Sequence, residues 1–217
     1  MIYKTLDKEA YLRYHNTLVG KDKKFSKVAM GMWDFMKAWE KWPPRVLEEN
    51  GEILSVCFMK LSNQAKTKVL FISNIFTPTP GRGKGSARDM LHRNILEAVE
   101  LGARTIRLDC NRAALGFYDK LGMTYWGTTI SHSMFCDLPI NSKGVECFNT
   151  TKNMSAVEIF NEYSPELKTA KLKWISKKVK KHGKYDFGHP SRYNEFMSLL
   201  NFKTLEPNEK DLQNVKL

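Results

Sequence analysis

Acidic side chains are in short supply: 23 aspartates and glutamates stand against 35 lysines and arginines, a formal net charge of +12 over 217 residues. A surplus of that size favours anionic partners, whether a nucleic acid, an acidic protein or the phosphates of a small cofactor. Cysteine is sparse as well. Cys57, Cys110, Cys136 and Cys147 form no Cys-x-x-Cys pair, which argues against a zinc site or a disulfide framework and for reduced thiols packed as small hydrophobes. His182 and His189 flank Asp186 at irregular spacing, so no metal site is expected. No run approaches the roughly eighteen apolar residues of a membrane span, and the amino terminus lacks the apolar stretch of a secretory signal. The expected location is therefore the cytoplasm. Internal repeats and low-complexity tracts are absent, and the length suits one substantial core with an appendage.

Glycine, by contrast, is concentrated at one place. Residues 80–87 read Pro-Gly-Arg-Gly-Lys-Gly-Ser-Ala, behind the apolar run Val69-Leu70-Phe71-Ile72 and ahead of a long amphipathic pattern. That order predicts a strand, an anion-cradling turn and a helix. Gly81, Gly83 and Gly85 let backbone amides approach a ligand, and the amides opening the next helix aim their hydrogens and partial positive charge the same way. Arg82 and Lys84 add cationic charge around donors that are mainly backbone. Spacing excludes two familiar phosphate loops. The position five before Gly83 is Pro78 and Lys84 is followed by Gly85, so the P-loop pattern fails. A dinucleotide fingerprint from Gly83-x-Gly85 would need glycine at position 88, which is Arg88. A phosphorylated cofactor of another kind remains, with a chance glycine-rich surface turn as the plain alternative.

A second segment follows a strand-like run over residues 105–110: Asn111-Arg112-Ala113-Ala114-Leu115-Gly116-Phe117-Tyr118-Asp119-Lys120-Leu121-Gly122-Met123. Together the two segments resemble the GCN5-related N-acetyltransferase (GNAT) family. Arg82-x-x-Gly85-x-Ala87 fits that family's cofactor loop, Arg/Gln-x-x-Gly-x-Gly/Ala. Asn111, Ala114, Tyr118, Lys120 and Gly122 fit its later motif, with Met123 in place of the usual aromatic residue. Both motifs occur in the right order, and the resemblance covers roughly residues 44–137. One departure lies inside it, since Thr79 stands where the family has proline, between Pro78 and Pro80; a longer or kinked strand exit is expected.

The resemblance implies an α/β fold, a central mixed and mostly antiparallel sheet flanked by helices, that binds acetyl-CoA and transfers its acetyl group to an amine. It implies that the loop holds the pyrophosphate through Arg82, Gly83, Lys84, Gly85, Ser86 and Ala87. Backbone groups near Ile75, Phe76 and Thr77 would take the pantetheine arm, Asn111 would reach the pantetheine or diphosphate arm from the other side, and Tyr118 would be the general acid. A phenol stays protonated at neutral pH and can donate as sulfur becomes negative. The tyrosine also has an ordinary reading, a ring packed under its helix. No motif identifies the general base; Glu48, Glu49, Asp109 and His132 lie near strands that could face an acceptor.

Local patterns predict helices over 6–18 and 26–40, the second stopped by Pro43-Pro44, and a hairpin turned at Asn50-Gly51 whose second strand runs over 53–59. A strand over 68–76, a helix over 86–101 with Met90, Leu91, Ile95 and Ala98 facing inward, a strand over 104–110, a helix over 112–121 and strands near 123–126 and 134–138 complete the layers. Trp33, Met36 and Met32 recur at helical spacing, which favours packing, though the aromatic and thioether surplus of these amino-terminal helices leaves room for an acceptor pocket. The expected division is a catalytic domain over 1–140 and a basic helical extension over 141–217. In the extension Lys168, Lys171, Lys173, Lys177, Lys178, Lys180, Lys181 and Lys184 occur without an intervening carboxylate, while Leu172, Ile175 and Val179 mark one helical face. Contact with DNA or RNA is one reading and a solubilising lysine face the other. Two alternatives to acetyl transfer to a simple amine stay open: a nucleic-acid-modifying enzyme of the same fold, and an acyl-CoA-binding module without chemistry.

Overall fold

The structure, a computed structural model, describes residues 1–64, 66–110, 114–128, 134–140, 154 and 156–182. In chain order the elements are β1 (Ile2–Thr5), α1 (Lys8–Thr17), α2 (Gly20–Phe35), β2 (Arg45–Glu49), β3 (Glu52–Gln64), β4 (Thr67–Phe76), α3 (Ser86–Glu100), β5 (Thr105–Cys110), α4 (Leu115–Lys120), β6 (Thr124–Thr128), β7 (Met134–Pro139), α5 (Ala156–Asn161) and α6 (Pro165–His182). A short 3-10 turn covers Thr79–Gly81. Two units divide the chain: Met1–Leu61 with Phe71–Ala98, and Ser62–Leu70 with Val99–Leu217. β3 and β4 run through both.

In the first unit the strand order is β1-β2-β3-β4, and β2 pairs antiparallel with both β1 and β3. The β2–β3 hairpin turns where predicted. Asn50 (φ 52°) and Gly51 (φ 82°) both take positive φ, the conformation whose twist matches the flanking strands and which asparagine and glycine adopt most readily. The aromatic core gathers round Phe58 of β3. Tyr11, Trp33 and Trp39 present their rings to it at centroid distances of 5.1, 5.2 and 6.0 Å, fixing α1, α2 and the segment after α2 on one face of the sheet. Ser26 Oγ lies between Tyr11 Oη at 2.8 Å and His15 Nδ1 at 2.9 Å. Burial, with help from Lys23 and Lys27, pushes the His15 imidazole below its ordinary pKa.

The helix expected over 26–40 is shifted in the structure: α2 starts at Gly20 and ends at Phe35. Its end is set by Lys37 and not by the prolines. Lys37 takes a left-handed conformation (φ 49°), its amide bonds Asp34 O at 3.0 Å, and the Ala38 amide bonds Trp33 O at 3.0 Å. That pair of bonds closes the helix as a Schellman motif, with lysine where glycine is usual. Trp33 Nε1 then donates to Trp42 O at 2.7 Å, holding the following turn. Trp33 is fully buried and Met36 packs against the core, as expected. Met32 corrects the expectation, being 43% exposed, because it falls on the outward stripe of α2 with Phe25, Val28 and Phe35.

Sequence patterning gave no sign of β1, whose four residues include one half-buried side chain. Tyr3 explains it. Its hydroxyl donates to Glu97 Oε2 at 2.6 Å and lies 2.9 Å from Asn94 Oδ1, so the edge strand is tied to α3, whose inward residues Met90, Leu91, Ile95 and Ala98 are buried as predicted. Arg45, 6% exposed, pairs with the same Glu97 carboxylate and donates to Pro43 O at 2.6 Å. Beside it the fully buried Cys57 thiol is pushed by burial to about 12.

In the second unit β4 meets β5 through the Arg104 amide on Lys68 O at 2.9 Å. β7 lies antiparallel between β5 and β6, with Thr105 opposite Pro139 and Cys110 opposite Met134. Cys57 and Cys110 are buried thiols not joined in a disulfide, as expected; the side chain of Cys136 and all of Cys147 lie outside the described residues. In the expected extension the described elements are α5 and α6. Ser164 Oγ accepts from the Leu167 amide at 3.3 Å and lies 3.2 Å from Thr67 Oγ1. Lys171, predicted on a basic face, is 6% exposed with its ammonium 4.2 Å from the Tyr163 ring centroid, because a desolvated cation gains from an aromatic face. Lys168 is half-buried over Phe160. The side chains of Lys177, Lys178, Lys180 and Lys181, and the whole of Lys184, lie outside the described residues. Among the described residues no helix is long and apolar enough to cross a membrane.

Burial alone would raise the Glu97 carboxyl, but hydrogen bonds from Arg45 and Tyr3 and the Arg45 charge outweigh it and hold the group below the ordinary carboxylate range. Such a group stabilises fully above its unfolded value of about 4.3, and the contribution is lost as pH falls through the lower folded value. Glu97→Gln should cost about 2 kcal/mol at pH 7, less than a fully buried pair because the Glu97 side chain is 26% exposed. In urea unfolding, the gap between variant and wild type should narrow as pH is lowered below the unfolded value of about 4.3.

Candidate functional site

The glycine-rich segment follows β4 as predicted, and the first unit holds all of it. The strand exit is neither long nor merely bent. Pro78 leads into the one-turn helix Thr79–Gly81 with Pro80 inside it, closed by the Gly81 amide on Pro78 O at 2.9 Å and the Arg82 amide on Thr79 O at 3.3 Å. This is where the threonine-for-proline departure goes: fixed proline φ on either side of Thr79 winds the chain into a tight turn.

Gly81 is required for space. A Cβ built there would lie 1.9 Å from the Leu54 carbonyl oxygen, so the turn rests directly on the backbone of β3. Gly83 and Gly85 are required for conformation, at φ 74° and 78°, and a Cβ on either would meet open space. Past them the chain enters α3. The Arg88 and Asp89 amides bond Gly85 O at 2.9 and 3.1 Å, whereas the amides of Gly83, Gly85, Ser86 and Ala87 have no acceptor among the described residues. Ser86 is 1% exposed, and its Oγ also lacks a partner among the described residues. Four unengaged amides and a buried hydroxyl at the positive end of a 15-residue helix form a donor set suited to an anion. The Lys84 side chain is exposed beside them.

Arg82 is placed differently from Lys84. Its guanidinium pairs with the Asp22 carboxylate of α2, and its Nε donates to Thr77 O at 3.2 Å. The Asp22 carboxylate also accepts from the Thr79 amide at 3.0 Å and the Thr79 hydroxyl at 2.9 Å. Asp22 escaped the sequence analysis, although a signal existed: it is the lone carboxylate between Ala10 and Trp33. Upstream, Phe76 is 8% exposed and its carbonyl receives the Ser55 hydroxyl at 3.5 Å. Ile75 and Thr77 are half-buried.

The second unit holds Tyr118. It lies on α4, 6% exposed, with its ring edge-on to Phe117 at 5.1 Å. The rest of the second motif shapes the helix end. Gly122 takes φ 84°, and Tyr118 O receives the Leu121 and Met123 amides, both at 3.1 Å, so the motif glycine is the left-handed residue that stops α4. Asn111 and His132 lie outside the described residues. Glu48 is engaged by Lys4 at 2.5 Å. Asp109 is half-buried on β5; burial raises its carboxyl above the usual range, against the opposing charge of Arg107 4.0 Å away.

Residues 17–123 match the profile of the Acetyltransferase (GNAT) family. Among solved structures, a bacterial toxin superposes with a TM-score of 0.51 at 14% identity, covering 69% of this chain and 93% of the toxin. A GNAT-family protein from Desulfovibrio desulfuricans superposes at 0.53 and 10% identity, over 64% of this chain and 98% of its own. A GNAT-family acetyltransferase from Listeria monocytogenes does so at 0.50 and 12%, over 64% and 94%. At these identities the superpositions speak to fold alone. No curated protein sequence matches the chain.

The two kinds of glycine should behave differently on substitution. Gly81→Ala sets a methyl against main chain and should cost about 3 kcal/mol; Gly83→Ala, strained only in φ, should cost about 1 kcal/mol. Thermal unfolding of the two variants checks the order, with Gly81→Ala melting well below Gly83→Ala.

Proposed function

Because the chain carries an acetyltransferase domain of the GNAT family, we propose that it transfers the acetyl group of acetyl-CoA to an amine by direct attack in a ternary complex. The observation that carries this reading is the set of unengaged amides at Gly83, Gly85, Ser86 and Ala87. Backbone donors at a helix amino terminus suit a diphosphate, and the exposed Lys84 ammonium adds charge without demanding a fixed geometry. Backbone groups of Ile75, Phe76 and Thr77 receive the pantetheine amides, with Asn111 as a further donor. Acyl transfer then needs three things: a proton leaves the attacking nitrogen, the carbonyl oxygen is stabilised as it becomes anionic, and the departing sulfur gains a proton as the carbon–sulfur bond breaks.

Tyr118 is assigned the last of these. Its family motif supports the role, and a phenol can donate its proton as sulfur becomes negative. Of the candidate bases, Asp109 has a property a base needs, a carboxyl raised above the usual range by burial; Glu48 is committed to Lys4.

Calorimetric titration should show acetyl-CoA and CoA binding in preference to ATP. Tyr118→Phe should bind acetyl-CoA within about twofold of wild type and lose roughly 10- to 100-fold in turnover in a thiol-release assay with a panel of primary amines. Weakened binding with unchanged turnover would return Tyr118 to a packing role. Binding without thiol release by wild type, on small-molecule, peptide and nucleic-acid acceptors alike, would leave the chain an acyl-CoA-binding module.

A further inference from the structure

Asp22 sits in the first turn of α2, 57 residues before Thr79 in sequence, yet three donors of the loop converge on its carboxylate. One oxygen takes the Thr79 amide at 3.0 Å and the Thr79 hydroxyl at 2.9 Å; the other pairs with the Arg82 guanidinium. The Asp22 side chain is 10% exposed, while that of Arg82 is 52% exposed. A carboxylate so far out of water is held by its hydrogen bonds. The same guanidinium is held a second time, through Nε on Thr77 O at 3.2 Å. Arg82 is thus a strut between α2 and the strand exit, and the donors next along the chain are the unengaged amides of Gly83, Gly85, Ser86 and Ala87.

We propose that Asp22 is a positioning residue for the donor loop: it fixes Thr79 and Arg82, so that the pyrophosphate of the acyl donor is held by the loop amides rather than by the Arg82 guanidinium. The inference rests on the acyl-CoA reading above. It makes a prediction opposite in sign to simple electrostatics. A negative charge beside an anion site repels the anion, and a carboxylate on Arg82 competes with phosphate for it, so on charge alone its removal would tighten binding. If Asp22 instead preorganises the loop, its removal weakens binding despite the gain in positive charge, because the loop must then be ordered at the expense of affinity.

Asp22→Asn keeps the volume and one acceptor for Thr79 but gives up the ion pair. It should raise the dissociation constant for CoA about tenfold in calorimetry, and Arg82→Ala should do the same. The double variant should stay near tenfold and not approach a hundredfold, since the two residues act as one unit. Without ligand, amide hydrogen exchange over residues 79–87 should quicken in each variant while that over 90–98 stays as in wild type, which a general loss of stability would not produce. Tighter or unchanged CoA binding by Asp22→Asn, additive single-variant effects, or unaltered exchange over 79–87 would each overturn the proposal. If wild type itself fails to bind CoA, the acyl-CoA reading falls and this assignment with it; the exchange data would separate that case from one in which the tether does not exist.

Discussion

The packing of three aromatic rings on Phe58 is the interaction from which the rest of the first unit follows. Phe58 lies in the middle of β3, and the rings of Tyr11, Trp33 and Trp39 meet it edge-on, from α1, α2 and the chain just beyond α2. Rings that large, in a core as dense as a protein interior, have few alternative arrangements. They set the distance and direction of α2 from the sheet. Four residues back along β3, the Leu54 carbonyl is the surface on which Gly81 rests. One strand therefore locates both the helix that carries Asp22 and the turn that carries Thr79 and Arg82, and the carboxylate meets its donors because both are referenced to the same backbone.

The loop after β4 leaves donors unpaired among the described residues, which a folding chain normally avoids. Two devices allow it. Positive φ at Gly83 and Gly85 turns the chain away from ordinary ladders at no steric cost, and the start of α3 supplies amides that no preceding turn could engage. What keeps the segment from closing on itself is the turn before it, fixed by two prolines and by contact with Leu54. The loop's openness is thus a property of its surroundings rather than of its glycines alone, and a glycine-rich sequence elsewhere in the chain would not have produced it.

Legibility in the sequence followed the range of the forces involved. The Asn50-Gly51 hairpin, the inward face of α3 and the loop after β4 were readable because each depends on residues close together in sequence. So was Gly122, although its job, ending α4 in a left-handed conformation beneath Tyr118, became visible only with the bonds to the Tyr118 carbonyl. The ends of α2 were not readable. Its first turn is crowded with lysines, and Asp22, which turns inward there, gets its reason from partners some sixty residues away. Its last turn stops at Lys37, a residue with no special preference for the conformation it takes. β1 was hidden for the same reason, since Tyr3 is anchored by Glu97 across almost half the chain.

Charge patterns are the least reliable of these signals, and Lys171 shows why. A run of lysines on an amphipathic helix reads as a solvated or anion-binding face, because the sequence reports the sign of each charge but not what stands opposite it. Lys171 stands opposite the Tyr163 ring and is nearly as buried as the core around it; Lys168 leans on Phe160. An ammonium held on a ring face has exchanged part of its hydration for the aromatic quadrupole, and it would have to give that up before reaching a phosphate. Of the +12 carried by the chain, some is therefore committed to holding α6 to its own unit, and the pull this helix exerts on a polyanion is smaller than its lysine count suggests.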